Sequence, residues 1–105
     1  MHITRGSIFK DIGFGEEEAK DLEVRSFLAV KITDFVQRNN FTQQKAADFF
    51  GVPRPKITNI MSGNLSGISA EYMIKLLLET GGKLNVSFRQ PSKATVKKLL
   101  NEKAA

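Results

Sequence analysis

The residues best suited to chemistry lie between positions 54 and 62, where polar and cationic side chains recur at helical spacing. If Ile57 marks the buried centre of a helix, an advance of about 100° per residue turns four positions outward and leaves two cations at the edges. The outward positions are Pro55, Thr58, Asn59 and Ser62, and the cations are Arg54 and Lys56. Arginine can bind guanine through two hydrogen bonds, asparagine can bind adenine likewise, and hydroxyls serve either base. The segment therefore predicts a helix that reads base edges in the major groove of DNA.

Two short helices around a tight turn would position this face. Gly51 can adopt the left-handed conformation that such a turn needs, and Pro55 needs no amide partner in the first turn of the second helix. Thr42 is suited to cap the first helix, and Gly63 is suited to end the second. The apolar residues that would bury one face of each helix are Ala46, Ala47, Phe50, Ile57, Ile60 and Met61.

Apolar residues three or four apart predict one further helix on each side of this pair. The first runs from about Ala19 to Arg38, after an acidic run at 16–18 that favours a helix N-terminus. The second is capped by Ser69 and ends at the glycines at 81–82. The period then changes, because Leu84, Val86 and Phe88 alternate with polar residues, which is typical of a half-buried strand.

The predicted strand at 84–89 has no evident second strand in the sequence. Its backbone groups would stay unpaired unless a copy of the same strand lay beside it across a two-fold axis. Leu84, Val86 and Phe88 are therefore predicted to form a homodimer interface. That interface would hold two reading helices about one turn of DNA apart, roughly 34 Å. The basic tail that follows is either a short helix or a frayed end.

Composition and charge indicate a single domain with a polyanionic partner. The chain has 105 residues, 41% of them hydrophobic, and no apolar run approaches the roughly 20 residues that a membrane span needs. Residues 1–52 hold seven Lys or Arg and eight Asp or Glu, whereas residues 53–105 hold nine and three. The basic half begins at the predicted reading helix, as binding to DNA phosphates favours. Without cysteine or an apolar leader, the expected location is the cytoplasm.

Catalysis and metal binding are not expected. His2 is the only histidine, so no nucleophile has a credible general base, and without cysteine no metal site can be completed around it. The sequence at 13–15 has two glycines but lacks the spacing and the lysine of a phosphate loop. We expect no enzymatic activity, no cofactor and no metal.

A family resemblance rests on a pattern within residues 42–63 and on its flanks. The core pattern is Thr42-Gln43, Ala46-Ala47, Gly51-Val52, Ile57-Thr58, Ile60 and Gly63, preceded by Phe9 to Phe14 and followed by Val86 to Arg89. It resembles the helix-turn-helix of the phage-repressor (Cro/C1, or Xre) regulators, and over roughly residues 5–90 it is similar to small HigA-type antitoxins. The resemblance implies an all-α, lambda-repressor-like bundle with one C-terminal strand paired across a dimer. It also implies that Gln43 supports a base-reading side chain and contacts phosphate. Pro53 departs from the serine common in the family, so the second helix should lack a side-chain cap.

The expected organisation is an N-terminal lead-in at 1–20, a DNA-binding domain at 21–82, a dimerisation strand at 83–90 and a basic tail at 91–105. One interpretation is a homodimeric repressor on a palindromic operator in double-stranded DNA. The alternative is an antitoxin that also neutralises a small RelE/HigB-like toxin and regulates its own operon, with residues 8–14 as either toxin contact or core packing. RNA binding is a third and less favoured interpretation, because the sequence shows no sheet with exposed aromatic residues on which bases could stack. The operator, the regulated genes and any effector do not follow from the sequence.

Overall fold

The computed structural model describes residues 16–104, and within that range the regular secondary structure is entirely helical. The helices are α1 (Glu16–Arg38), α2 (Gln43–Phe50), α3 (Arg54–Ser62), α4 (Ala70–Glu79) and α5 (Lys93–Ala104). For these residues the predicted all-α class is confirmed. The predicted N-terminal lead-in, including residues 8–14, lies outside the described residues. No described helix is both long enough and apolar enough to cross a membrane.

The first four helices share one apolar core. Helix α1 packs against α3 and α4, and α2 packs against α3. Ile32, Ile57 and Met73 lie at its centre and are each 0% exposed, and Ile57 is the residue that the spacing placed at the buried centre of its helix. The loop between α3 and α4 also contributes, through buried Leu65 and Ile68. The core therefore fixes how α3 sits on the bundle.

Local signals in the sequence set the ends of α2 and α3. The hydroxyl of Thr42 accepts a hydrogen bond from the backbone N–H of Lys45 at 3.0 Å, which caps α2. Gly51 ends α2 in the left-handed region, with φ 68°, and the next amide, of Val52, donates to the carbonyl of Ala47 at 3.0 Å. As predicted, Pro53 precedes α3 without a side-chain cap.

Arg25 ties α1 to the loop that follows α3. Its guanidinium donates to the backbone carbonyl of Leu65 at 2.7 Å and to that of Ile68 at 3.4 Å. The same group pairs with Asp21 one turn earlier at 2.9 Å. These bonds satisfy two carbonyls of an irregular segment and hold the C-terminal end of α3 against α1.

The predicted strand at 84–89 is not observed. Residues 82–92 carry neither helix nor strand. A strand exists through ladder hydrogen bonds, and residues 16–104 contain no second strand to supply them. Leu84 is half buried against the bundle, but Val86 and Phe88 are 71% and 76% exposed. The structure of the single chain therefore does not support the predicted pairing of two such strands across a dimer.

The basic tail is a helix rather than a frayed end. The hydroxyl of Ser92 accepts a hydrogen bond from the backbone N–H of Thr95 at 3.1 Å, which caps α5. Every residue of α5 whose side chain is described is exposed.

Candidate nucleic-acid interface

Helix α3 presents one polar face to solvent and buries the opposite face. Ile57 and Ile60 are 0% and 1% exposed, which anchors the helix in the core. Of the positions predicted to face outward, Pro55, Thr58 and Ser62 are exposed and Asn59 is half buried. Of the two predicted flanking cations, Arg54 is exposed and Lys56 is half buried. The helical arrangement inferred from residue spacing is therefore the one that the structure has.

Gln43, in the first turn of α2, meets this face directly. The hydroxyl of Thr58 donates to the side-chain carbonyl of Gln43 at 2.5 Å, and it also lies 3.2 Å from the backbone carbonyl of Arg54. The bond leaves the amide nitrogen of Gln43 without a partner among the described residues. A donor fixed in this way, beside an exposed helix face, is suited to a phosphate or base-edge oxygen.

Five of the predicted contact residues surround one shallow concavity between α2 and α3. Its lining consists of Gln43, Arg54, Pro55, Thr58 and Asn59. Both kinds of donor used in base reading, a guanidinium and a side-chain amide, are present there. The structure thus brings together residues from two helices that are separated by a turn in the sequence.

The electrostatics of this face favour an anionic ligand. Helix α3 carries two cations and no acid, and neither cation forms an ion pair with a described residue. Asp48, the one acid of α2, accepts a hydrogen bond from Gln44 at 3.0 Å. A helix of nine residues is about 13 Å long and roughly 10–12 Å across with its side chains, which matches the major groove of B-DNA.

Comparison with known families agrees with this geometry. A family model described as a helix-turn-helix domain matches residues 8–89, which is most of the chain. The chain belongs to the helix-turn-helix domain family. In this helix-turn-helix, α2 is the first helix and α3 is the second, and membership indicates a DNA-binding regulator with DNA as its partner. Comparisons with curated proteins and with solved structures found no match.

Two predicted contact residues of the helix-turn-helix lie apart from the concavity. The ammonium of Lys56 sits 5.2 Å from the centre of the Tyr72 ring, on the flank of α3 that faces α4. Burial, and then the negative charge of Glu79, raise the pKa of the Tyr72 hydroxyl above its ordinary value. Ser62, at the far end of α3, donates to the carbonyl of Asn59 at 3.2 Å.

Sequence reasoning missed two residues that shape the helix-turn-helix. Tyr72 is half buried against the core, and its ring lies beside the ammonium of Lys56. Arg25 was not singled out, although it holds the loop after α3. Its spacing of four residues from Asp21 indicates a helical ion pair, but nothing in the sequence shows that the guanidinium reaches a loop forty residues away.

Proposed function

We propose that the protein is a homodimeric transcriptional repressor that binds a palindromic operator and blocks a promoter by occupying it. The proposal includes action in the cytoplasm and no catalytic role. The observation that carries it is the cationic, acid-free outer face of α3, with Gln43 of α2 bonded to it through Thr58. This arrangement supplies base-reading side chains and a fixed supporting donor on one rigid unit.

Each contact residue then has a role that follows from its chemistry. Arg54 forks onto the O6 and N7 atoms of guanine, and Asn59 pairs with adenine. Thr58 positions Gln43, which contacts a phosphate. Lys56 on the flank and Ser62 at the helix end contact the backbone, which sets the register of α3 in the groove without reading sequence.

Pro55 completes the outer face at the first turn of α3, where it is exposed and lines the concavity. It has no donor to offer, so its contact with DNA is apolar. In the major groove the apolar group available is the methyl of thymine. Pro55 therefore adds preference for thymine beside the bases that Arg54 and Asn59 read.

A second copy completes the DNA-binding dimer by pairing with the segment at 84–89. A register centred on Val86 places Leu84, Val86 and Phe88 of both copies on one face and pairs all three with one another. A shift by one residue turns one set over, and a shift by two leaves an apolar residue of each copy without an apolar partner. In that register Phe88 lies opposite the partner's Leu84. The pairing covers Val86 and Phe88, which are 71% and 76% exposed in the single chain.

Substitution at Val86 tests this dimer. Val86→Pro removes a ladder donor, so we expect a folded monomer by sedimentation and circular dichroism, while Val86→Thr should still dimerise. The side chain is exposed, so neither change should disturb the bundle. A folded, dimeric Val86→Pro protein would exclude pairing through this segment.

Arg54→Ala tests the placement of the recognition helix. We expect loss of preference at one base pair of each half-site, at a cost of about 1–3 kcal/mol in binding free energy. Lys20→Ala is the matched control, because it removes one exposed positive charge from α1 and leaves α3 untouched. Competition binding at one fixed salt concentration separates loss of preference from loss of charge. Equal behaviour of the two variants would refute the assignment.

The antitoxin alternative adds a second role to the same DNA-binding unit. Its support is the sequence resemblance to small HigA-type antitoxins, and the candidate toxin contact at 8–14 lies outside the described residues. Co-purification with the product of a small basic reading frame beside the gene, if one exists, discriminates the two. A stable complex that silences a ribonuclease favours the antitoxin, and free protein with unaltered operator binding favours the repressor.

A further inference from the structure

Most of the lysines of α5 gather on one side of the helix. At an advance of about 100° per residue, Lys93, Lys97 and Lys98 fall within an arc of about 140° that contains no acid. These three lysines form the cationic face of α5, and all three are exposed. The hydroxyl of Ser92 caps the helix, so α5 begins at Lys93 and its backbone holds the three side chains on that side.

Helix α5 carries most of the net positive charge of the chain. Its twelve residues hold four lysines and one acid, a net charge of +3, and the whole chain has a net charge of +5. No lysine of the cationic face forms an ion pair within residues 16–104. Helix stability does not account for this charge, because a positive charge in the first turn, where Lys93 lies, opposes the helix dipole. The face is therefore available to a polyanion.

Double-stranded DNA is the polyanion that the chain's family indicates. Positions 93 and 98 lie about 7.5 Å apart along the helix axis, and DNA carries one charge per roughly 1.7 Å of its own axis, so the face can meet several phosphates. An anionic lipid surface fits less well, since helices that lie on membranes have a broad apolar side with aromatic residues or leucine. Helix α5 has no aromatic residue, and Lys103 falls between Leu99 and Val96 on its apolar side.

The linker before α5 is long enough to bring the cationic face to DNA. Leu84 packs against the core of the bundle, and residues 85–92, which carry neither helix nor strand, connect it to α5. When extended, this linker spans about 30 Å. That distance exceeds the roughly 20–24 Å across two packed helices. Helix α5 can therefore reach the phosphates beside the site that α3 contacts.

We propose that the cationic face of α5 binds phosphates of double-stranded DNA beside the half-site, as a second contact in addition to the helix-turn-helix. The proposal rests on the DNA binding proposed above, and it does not require the strand pairing at 84–89. Phosphates carry no sequence information, so α5 adds affinity and salt dependence but no base preference.

The salt dependence of DNA binding tests this contact. Each phosphate that a lysine neutralises adds about 0.9 to the magnitude of the slope of log K against log salt concentration. The variant with Lys93→Gln, Lys97→Gln and Lys98→Gln together should therefore have a slope smaller by about two to three. Glutamine has a helix propensity close to that of lysine, so helix content by circular dichroism should not change. A mixed-sequence duplex serves as the probe, because this contact does not depend on the operator.

A control variant removes the same charge from other places. Lys20→Gln, Lys31→Gln and Lys103→Gln together remove three exposed lysines, two from α1 and one from the apolar side of α5. We expect the slope of this control to stay within about one of the slope of the unaltered chain. Equal slopes of the two variants would mean that net charge alone matters and would overturn the contact.

The same titration distinguishes failure of this contact from failure of the proposed function. An unaltered chain that binds the duplex, with an unchanged slope in the cationic-face variant, overturns the contact and leaves DNA binding by the helix-turn-helix standing. If the unaltered chain binds no double-stranded DNA, both are wrong. If the cationic-face variant instead loses binding to vesicles of phosphatidylcholine and phosphatidylserine, and its DNA slope is unchanged, the face belongs to a lipid surface and the proposal is wrong.

Discussion

Removal of the Thr58 hydroxyl tests whether the helix-turn-helix uses Gln43 as a positioned group. The hydroxyl donates to the Gln43 side-chain carbonyl at 2.5 Å, on the surface where α2 and α3 meet. Thr58→Val replaces the hydroxyl by a methyl and keeps the β-branched shape in α3. The substitution therefore removes the hydrogen bond with little change in the helix.

The expected magnitude follows from the exposure of this bond. A hydrogen bond contributes about 0.5–1.5 kcal/mol net, and Thr58 is exposed, so the free energy of unfolding should change by less than about 1 kcal/mol. DNA affinity should fall further, because an untethered Gln43 side chain must be ordered on binding, at a cost of about 0.5–1.5 kcal/mol. We expect a loss of about 1 kcal/mol, or roughly fivefold in Kd.

A double-mutant cycle isolates this contribution. Affinities of Thr58→Val, Gln43→Ala and the double variant for one selected operator, at fixed salt, should give a coupling energy of about 1 kcal/mol. Ser62→Ala is the control, because the hydroxyl of Ser62 bonds within its own helix, and its effect should add to that of Gln43→Ala. Additive effects of Thr58→Val and Gln43→Ala would refute the positioning role of Thr58.

Three further predictions follow from single residues. Arg25→Ala should lower the free energy of unfolding by about 1–3 kcal/mol in urea, because it removes the charged donor from the carbonyls of Leu65 and Ile68 and leaves Leu65 with only the backbone N–H of Ile68; recovery by Arg25→Lys to within error would show that charge alone matters. Gly51→Ala should cost about 1–2 kcal/mol and Gly51→Asn less, as measured by Tm, since φ is 68° and an added Cβ meets no atom within 4 Å; equal losses would exclude a backbone cause. Because the pKa of Tyr72 is raised, the folded protein binds more protons than the unfolded protein at alkaline pH. The free energy of unfolding should therefore fall as the pH rises there, and it should fall less in Tyr72→Phe. If the absorbance of the single tyrosine shows that it ionises while the denaturant midpoint stays unchanged, the prediction is wrong.

Local signals explain why much of the fold could be predicted. Thr42 and Ser69 cap helices through their own hydroxyls, and Gly51 and Gly63 end helices in the left-handed region. Such features act within a few residues and are readable in one sequence. The start of α1 differs from the prediction: the helix begins at Glu16, so the acidic run lies inside its first turn.

Features that depend on distant partners could not be read in the same way. Two contacts depend on how α1, α3 and α4 pack: that of Lys56 with the Tyr72 ring, and the hydrogen bond from Arg25 to the carbonyl of Leu65. The spacing of residues along one helix does not encode this packing. In the segment at 84–89, apolar and polar residues alternate as in a strand. Alternation shows only which side chains would share a face, whereas a strand also needs a neighbouring strand for its backbone hydrogen bonds. The spacing of apolar residues in α3 predicted its exposed face correctly, because the core that buries its other face belongs to the same chain.

Selection of bound duplexes from a random DNA pool, at near-physiological salt and followed by sequencing, tests the central claim most directly. Salt matters because at low ionic strength a protein of net charge +5 would hold any DNA. We expect a palindrome whose half-sites lie about 10 base pairs apart, with a guanine whose enrichment disappears in Arg54→Ala. Recovery of sequences with no enrichment, or of an enriched site that Arg54→Ala still selects, would contradict it.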